Sequence, residues 1–420
     1  MYISLTNTPT PSTPRQRGPR GVRTVSSTVV TLGLVSLLTD VSSESVSAVL
    51  PLYVTGMLGL STIAFGLLDG LYQGVSALVR IAGGYTSDRV GRPKWIAFGG
   101  YAVAAVARIG LLFASGFGAL AAVLTADRIG KGLRTAPRDA LIAAASDPDS
   151  RGRAFGVHRM LDNIGAAIGP LLAFVILWAV PDGYDVVFAV SLACAMIGVL
   201  ILAVLVPNMR TRPPVAERAE RREERRAAWA TLRRGPFRRV LAAAGILGIV
   251  TIGDGFVYLA LQGRNDFAAQ WFPLLYVGTN IAFLALAVPL GRAADRIGRA
   301  RVFVLGHLAL LAAYVVAALA IDDLVATILC LAFLGAFYAA TDGVLAALAA
   351  DLTGPETRAT GIAAAQTVVA LARFGSAALF GVLWFAVGRE SALLIAAGVL
   401  AAAVAAAVVI LRPLLRTVAP

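Results

Sequence analysis

The chain has 420 residues, of which 58% are hydrophobic and only 15% are charged, and its mean hydropathy is +0.78. Soluble globular domains carry roughly 25% charged residues, so this composition excludes an ordinary soluble protein. The net charge of +13 does not indicate nucleic-acid binding, because the basic residues are concentrated in short breaks between long apolar runs. Cys194 and Cys330 lie in separate apolar runs, so we expect no disulfide, metal site or cofactor.

Apolar runs of about 18–25 residues recur from residue 27 to residue 411, and each can cross a hydrocarbon core of about 30 Å. We count twelve runs, which predict an all-α integral membrane protein with twelve transmembrane helices. The predicted organisation consists of five segments: a disordered cytoplasmic tail (1–25), a first six-helix half (26–206), a basic cytoplasmic linker (207–239), a second six-helix half (240–411) and a cytoplasmic tail (412–420).

Basic residues occupy every second break along the chain. The main ones outside the linker are Arg15, Arg17, Arg20, Arg23, Arg89, Arg92, Lys94, Arg151, Arg153, Arg292, Arg296, Arg299, Arg301, Arg412 and Arg416. Lysine and arginine are enriched in cytoplasmic loops of membrane proteins, so this alternation predicts that both termini are cytoplasmic. Abundant arginine and alanine with almost no lysine point to a bacterial genome, and hence to the bacterial inner (plasma) membrane.

The breaks after the second and eighth runs share one pattern, G-x-x-x-D-R-x-G-R-x-[KR], at a constant displacement of about half the chain. The two copies comprise Gly84, Asp88, Arg89, Gly91 and Arg92, and Gly291, Asp295, Arg296, Gly298 and Arg299. A repeat of this kind indicates two similar halves in the same membrane orientation, an architecture that places a substrate site between the halves at mid-membrane.

This loop pattern resembles the signature of the major facilitator superfamily, and the resemblance covers residues 27–411. It implies a cytoplasmic latch that holds the outward-open state, a role that would fall here to Asp88 and Arg92. The alternative is that the arginines of the loop only fix the topology. Pro93 stands where a basic residue is commoner, and it moves the last cation of the pattern to Lys94.

The fourth run contains the string D-R-x-G-K-G-L-R-T-A-P-R-D. Its residues Asp127, Lys131, Arg134 and Arg138 follow helical spacing and form one stripe, which would cost on the order of 10 kcal/mol if it faced lipid. The stripe overlaps a second superfamily signature, L-x-x-x-R-x-x-Q-G, with Arg128 in place and Lys131 replacing glutamine. The longer string resembles a prokaryotic branch whose substrates are mostly unassigned.

Two carboxylates in the first run, Asp40 and Glu44, are four residues apart on one helix face. A carboxylate beside Arg128 or Lys131 can exchange an ion pair for a proton as a cavity reorients, so we expect proton coupling here. A permanent structural salt bridge between the first and fourth helices is the alternative. The remaining cavity and substrate candidates, together with Asp127, Arg128, Lys131 and Arg134, are Asp69, His158, Asp162, Asp254 and Arg373. For Arg108 in the third run, the sequence suggests only that the side chain snorkels to the interface or has a partner inside the bundle.

Two His residues, no cysteine pair and no phosphate-binding loop argue against an enzyme or an ATP-driven pump. The resemblance implies a secondary active transporter that works by alternating access. We expect a monomer in the lipid bilayer that carries a small-molecule substrate with protons, in the direction of export, for an organic compound or drug. Gly165, Gly169 and Pro170 resemble a signature of antiport branches and favour efflux, although small residues also serve helix packing.

Two alternatives remain open: uptake or exchange of an anionic metabolite, and a membrane scaffold or sensor that does not transport. The pairing of the helix-four cations discriminates between the two transport hypotheses. If Arg128, Lys131 and Arg134 lie unpaired in a cavity, an anionic substrate is favoured; if each meets a carboxylate, a cationic or neutral one is favoured.

Overall fold

The computed structural model describes residues 25–147, 150–209, 235–265, 267–319, 321–353 and 357–416, without the side chains of 81–85, 87–90, 265 and 359. Most of the predicted tails and linker, and the side chains of Asp88 and Arg89, therefore lie outside the described residues. The described part of the chain is helical and contains no strand. This agrees with the predicted all-α class.

The first half contains six helices. They are α1 (Ser27–Leu52, continued by a π-helical turn at Tyr53–Met57), α2 (Thr62–Val90), α3 (Pro93–Leu111), α4 (Phe117–Ala144), α5 (Arg151–Ala179) and α6 (Tyr184–Leu205). The second half contains α7 (Gly235–Gly248), α8 (Asp254–Asn265), α9 (Pro273–Ile297), α10 (Arg299–Ala318), α11 (Asp323–Asp351), α12 (Arg358–Val387) and α13 (Arg389–Arg416). The helices next to the predicted boundaries at 240 and 411 thus extend beyond them, to Gly235 and Arg416.

Nine helical segments of the described chain are long and apolar enough to cross a membrane by themselves. The exceptions are α3, α4 and the pair α7 and α8. The charged stripe lowers the hydropathy of α4, and α7 and α8 are short because they are two parts of one span. Together with these, the nine segments give twelve membrane-crossing units in two halves.

The seventh span is broken between Gly248 and Asp254, a feature that its continuous hydropathy did not predict. In the break, the backbone N–H of Ile252 donates a hydrogen bond to the Tyr314 hydroxyl at 2.8 Å, and that hydroxyl donates to the Val250 carbonyl at 3.4 Å. Non-helical backbone is tolerated at membrane depth when protein groups satisfy it. Tyr314, fully buried on α10, therefore supports the break.

The internal repeat is visible in the packing of the halves. Within the first half, α1 packs on α5 and α6, and α4 packs on α2 and α3; within the second, α11 packs on α9 and α10, and α10 packs on α13. The halves meet where α2 packs on α12 and α5 packs on α9. In the repeat, α2 is equivalent to α9 and α5 to α12, because these helices are the second, eighth, fifth and eleventh spans. A pseudo-twofold axis between the halves therefore converts one contact into the other.

The two loop motifs also have equivalent geometry. Gly91 and Gly298 have φ angles of +65° and +102°, a region that side chains with a Cβ rarely adopt. Lys94, at the start of α3, donates to the Ala203 carbonyl near the end of α6 at 2.8 Å, and Arg301, at the start of α10, donates to the Leu415 carbonyl near the end of α13 at 2.6 Å. Each cation binds the carbonyl-rich end of the last helix of its half.

The face of the bundle that carries the start of α1 and both loop motifs is called the motif face below, and the other is called the opposite face. At the opposite face the halves are sealed. Gly66 on α2 lies so close to the Ala377 carbonyl on α12 that an added Cβ would clash with it, and the Thr62 hydroxyl donates to the Gly381 carbonyl at 3.1 Å. Phe65 and Phe256 extend this seal to α8 with ring centroids 4.8 Å apart.

Candidate functional site

A cavity of about 870 Å³ lies between the two halves and is lined by helices of both. Its lining comes from the segments of α4, α5, α10, α11 and α12 that are nearest to the motif face, so the cavity opens in that direction. The charged residues that line it are Arg80, Lys131, Arg134, Arg138, Arg159 and Arg373, with Asp40, Asp162 and Asp342. The wall of the cavity is therefore rich in cations that need counterions.

Three cations of α4 lie in the cavity wall, and each meets a carboxylate from another helix. Lys131 Nζ is 4.0 Å from a carboxylate oxygen of Glu44, and Arg134 is 3.9 Å from Asp40. Arg138 is 3.7 Å from Asp162 on α5 and 3.1 Å from its own neighbour Asp139. The stripe is thus paired across the bundle, with α1 on one side and α5 on the other.

Asp40 and Asp162 bring two carboxyl groups together beside these arginines. The two groups lie within hydrogen-bonding reach of each other. A carboxylate only accepts hydrogen bonds, so two carboxyl groups can share one only when one of them carries a proton. Asp162 also meets Arg159 at 3.2 Å, one turn back along α5. The cluster can therefore hold a proton or exchange it for an ion pair.

Asp127 and Arg128 do not line this cavity, although they belong to the same predicted set. They are buried between α3 and α4, where Asp127 is 3.0 Å from Arg108 and accepts a hydrogen bond from Arg128 Nε at 2.8 Å. Arg108 also donates to the Ser42 hydroxyl at 3.2 Å, and the Arg128 guanidinium lies 3.7 Å from the centroid of the Tyr72 ring. Arg108 is therefore the second counterion of Asp127, which explains its position in α3.

A second group of ionisable residues lies at the boundary between the halves, toward the opposite face. Asp69 of α2 packs against Gly253 in the break of the seventh span, and Asp254 accepts a hydrogen bond from the Tyr338 hydroxyl at 2.8 Å. Arg373 interacts electrostatically with both carboxylates. Its guanidinium lies 5.7 Å from the ring centroids of Phe337 and Tyr338.

The structure thus separates the predicted candidates into three places. Asp40, Lys131, Arg134, Asp162 and Arg373 line the cavity; Glu44, Asp69 and Asp254 lie beside it; and Asp127, Arg128 and His158 are buried away from it. The Nε2 atom of His158 has no hydrogen-bond partner among the described residues.

The sequence did not predict that Gln366 and His307 lie at the cavity. Both line it, and Gln366 accepts a hydrogen bond from Arg80 at 3.4 Å. They stand singly in apolar runs, and only the arrangement of the helices brings them to the site. One signal for the seal was present in the sequence: Gly66, Gly70 and Gly74 have the spacing of small residues that lets two helices approach closely.

The residues of the chain match the model of the Major Facilitator Superfamily over 32–280 and 264–419. The chain belongs to the major facilitator superfamily. As a member of this superfamily it is a membrane transporter and not an enzyme, as its sequence indicates. The predicted membership of the superfamily is thereby confirmed.

Relatives within the superfamily are distant but cover most of the chain. An uncharacterized MFS-type transporter of Methanocaldococcus jannaschii is 27% identical over 380 residues, which are 88% of this chain and 91% of the relative. An uncharacterized protein of Mycobacterium tuberculosis is 26% identical over 366 residues, which are 85% of this chain and 86% of that protein.

Solved structures of the superfamily share the fold at low sequence identity. The nucleoside transporter NupG has a TM-score of 0.75 and 14% identity, and covers 92% of this chain and 99% of its own. A bacterial homologue of the human lysosomal transporter Spinster, in an inward-facing and unoccupied conformation, has a TM-score of 0.74 and 17% identity, and covers 93% of this chain and 97% of its own. These similarities show the major facilitator fold.

Proposed function

We propose that this protein is a proton-coupled secondary transporter that exports a small cationic or neutral organic compound across the bacterial inner membrane. The observation that carries this proposal is the pairing of the α4 cations. Arg128 meets Asp127, Lys131 meets Glu44 and Arg134 meets Asp40. Because each cation already has a carboxylate, none of the three is an open anchor for an anionic substrate.

Proton coupling is supported by the contact between Asp40 and Asp162. Both line the cavity, both reach an arginine, and one proton can bridge them. Loss of that proton would leave two neighbouring carboxylates that repel each other, one beside Arg134 and one beside Arg138, and would rearrange α1 against α4 and α5. Substrate entry and proton loss can be coupled in this way, because an intramembrane carboxylate is costly unless it is paired or protonated.

The charge pattern and the packing of α5 support the proposed orientation and direction. With the motif face cytoplasmic, as the basic loops predict, the cavity is open to the cytoplasm. Gly165 and Gly169, the small residues of the antiport-like signature, pack α5 directly on α1, next to Leu37 and Glu44. This contact joins the proton site to the helix that rearranges, as export in exchange for protons requires.

Arg80 favours one other transport function, the uptake or exchange of an anionic metabolite. Among the described side chains, no carboxylate lies within 4.0 Å of Arg80 or of Arg373, although both line the cavity. The two arginines come from opposite halves, so an anion bound between them would connect the halves. This geometry is the specific support for the second function.

The two functions can be tested in inside-out membrane vesicles acidified by respiration, with a pH-sensitive dye inside. Ethidium serves as an organic cation and benzoate as an organic anion. If the protein exports cations in exchange for protons, ethidium dissipates the pH gradient in wild-type vesicles, and Asp40→Asn abolishes this response. Arg80→Gln leaves the ethidium response intact.

The matched control is Asp182→Asn, an exposed carboxylate in the turn between α5 and α6, which we expect to behave as wild type. An ethidium response that persists in Asp40→Asn would refute the coupling role. A response to benzoate alone that is lost in Arg80→Gln would establish the second function instead. A set of further organic cations and neutral drugs extends the same assay if ethidium is inactive.

A further inference from the structure

Two carboxylates, Asp69 and Asp254, lie at the seal of the opposite face, one from each half. Neither belongs to the Asp40 cluster. Asp69 lies on α2, which carries Gly66, Gly70 and Gly74 against α12. An added Cβ on Gly253 would clash with Oδ2 of Asp69, so the carboxylate rests on the backbone at the break of the seventh span. Asp254 follows at the start of α8. Separation of α2 from α8 and α12 would therefore separate these two residues.

The carboxylate of Asp69 is not fully satisfied in the sealed state. Its Oδ2 is completely buried and has no hydrogen-bond partner among the described residues, and the same is true of Nε of Arg373. Asp254 receives one hydrogen bond, from Tyr338. A buried polar atom without a partner is costly, and an unpaired buried charge is more costly still.

The charges at this place do not balance. Among the described residues, Arg373 is the cation that interacts electrostatically with Asp69, Asp254 and Asp342, and none of its nitrogens lies within 4.0 Å of their carboxylate oxygens. Asp342 lines the open cavity, where water can hydrate it, but ionised Asp69 and Asp254 beside one guanidinium would still leave one uncompensated negative charge between the halves. Bound protons remove that excess without any change in packing.

We propose that Asp69 and Asp254, with Arg373, form a second proton-binding site that holds the two halves together at the opposite face. In the sealed state the site carries at least one proton on a carboxylate. When α2 separates from α8 and α12, water reaches both carboxylates and supplies the hydrogen bonds that they lack in the sealed state. The proton is then released to the water at the opposite face. Resealing requires that a proton return from that water.

This inference deepens the proposed function and rests on it for its direction. With the opposite face outside the cell, an external proton would bind after the compound has been released and would close the outer seal. The state shown here, with the cavity open at the motif face, would thereby be restored. The Asp40 cluster opens to the cavity, whereas the seal site takes its proton from the other side, so the two sites have separate roles.

Other polar and ionisable groups also lie near the site. Gln73 lies beside Asp69, and Asp342 faces Arg373 from α11. The hydroxyls that face the two carboxylates are those of Tyr258, Tyr276, Tyr314 and Tyr338. Tyrosine hydroxyls stay protonated in the ordinary range of pH, so the carboxylates are the groups that respond.

The experiment measures the opening of the seal without any substrate. Spin labels are attached to Met57→Cys and Val387→Cys, exposed positions on either half at the opposite face, with Cys194 and Cys330 replaced by alanine. Distances are measured by double electron–electron resonance in nanodiscs from about pH 5 to about pH 8, the range over which buried carboxyls titrate. In wild type we expect the short distance to dominate at low pH and a longer distance to gain population as the pH rises.

In the double variant Asp69→Asn/Asp254→Asn we expect the short distance at every pH, because the amides cannot ionise. Asp182→Asn, the exposed carboxylate in the turn between α5 and α6, should keep the wild-type response, because it lies outside both proton sites. A double variant that still responds to pH, a wild type that does not respond, or loss of the response in Asp182→Asn would each overturn the proposal. The single variants Asp69→Asn and Asp254→Asn replace the double variant if it fails to fold.

The experiments distinguish an error in the proposed transport function from an error in the proposed second proton site. A protein that moves no ethidium and dissipates no gradient could still show a pH-dependent seal. A proton-coupled exporter could likewise show a seal that ignores pH. The vesicle assay and the distance measurement therefore give independent answers.

Discussion

At the scale of single residues, the structure divides the charges of α4 between the wall of the cavity and the buried interior. Lys131, Arg134 and Arg138 face the cavity, where rearrangement of their ion pairs is compatible with a cycle. Asp127 is instead enclosed by two arginines, and both it and they are almost completely inaccessible. A charge in this position cannot be rehydrated without unfolding the contact between α3 and α4.

The first prediction therefore concerns Asp127. Asp127→Asn removes the counterion of Arg108 and Arg128 and should lower the free energy of unfolding by about 3–5 kcal/mol, the cost of leaving a buried charge unpaired. The midpoint of thermal unfolding in detergent micelles measures this loss. Glu390→Gln breaks a pair with Arg389 in which the glutamate side chain is 65% exposed, and it should change stability by about 0–1 kcal/mol. Equal midpoints for the two variants would contradict the structural role of Asp127.

At the scale of helices, close approach depends on glycines at particular contacts. Helix α5 lies directly on α1 at Gly165, where an added Cβ would clash with the Leu37 carbonyl. Gly156 on the same helix has no atom within 4 Å of such a Cβ. Both positions are glycines of the same helix, and only the residues packed against them in the folded protein distinguish them.

The second prediction compares these glycines. Gly165→Ala should destabilise the protein by about 1–3 kcal/mol, because α5 must move away from α1 or strain its backbone. Gly156→Ala should change stability by about 1 kcal/mol or less and in the favourable direction, since alanine is the better helix former. Thermal unfolding of both variants under one condition gives the difference. Identical effects of the two substitutions would show that the α1–α5 contact is looser than described.

At the scale of the whole molecule, the two halves are sealed at the opposite face, and the cavity between them opens toward the motif face. The contact includes Gly66 on α2 with Ala377 and Gly381 on α12, and the aromatic rings of Phe65 and Phe256. Alternating access requires the reverse arrangement in another state of the cycle. A side chain too large for the seal should therefore shift the population toward that state.

The third prediction uses this asymmetry. Gly66→Leu should prevent close approach of α2 and α12 and lengthen the distance between labels at positions 57 and 387 at every pH. The matched control is Gly56→Leu, at the same face but with no atom within 4 Å of an added Cβ, and it should keep the wild-type distances. If Gly66→Leu leaves the short distance dominant, the α2–α12 contact does not hold the halves together.

The sequence alone determined the class of the protein, the repeat and the superfamily, because each is recorded in local or periodic features. Apolar length reports a membrane span whatever its neighbours are, and the loop motif requires glycine at Gly91 and Gly298 for backbone reasons that are local. The spacing of the α4 charges likewise predicted a stripe that must avoid lipid. Orientation, coupling and direction stay predictions that rest on the same patterns.

Tertiary structure alone decided which charges meet. Arg108 and Asp127 lie on different helices, Asp40 and Asp162 are far apart in sequence, and Asp69 reaches Gly253 across the boundary between the halves. Helical periodicity states which side chains share a face but not which helix that face will meet. The break of the seventh span is of the same kind, because the hydroxyl that supports it belongs to Tyr314 on α10.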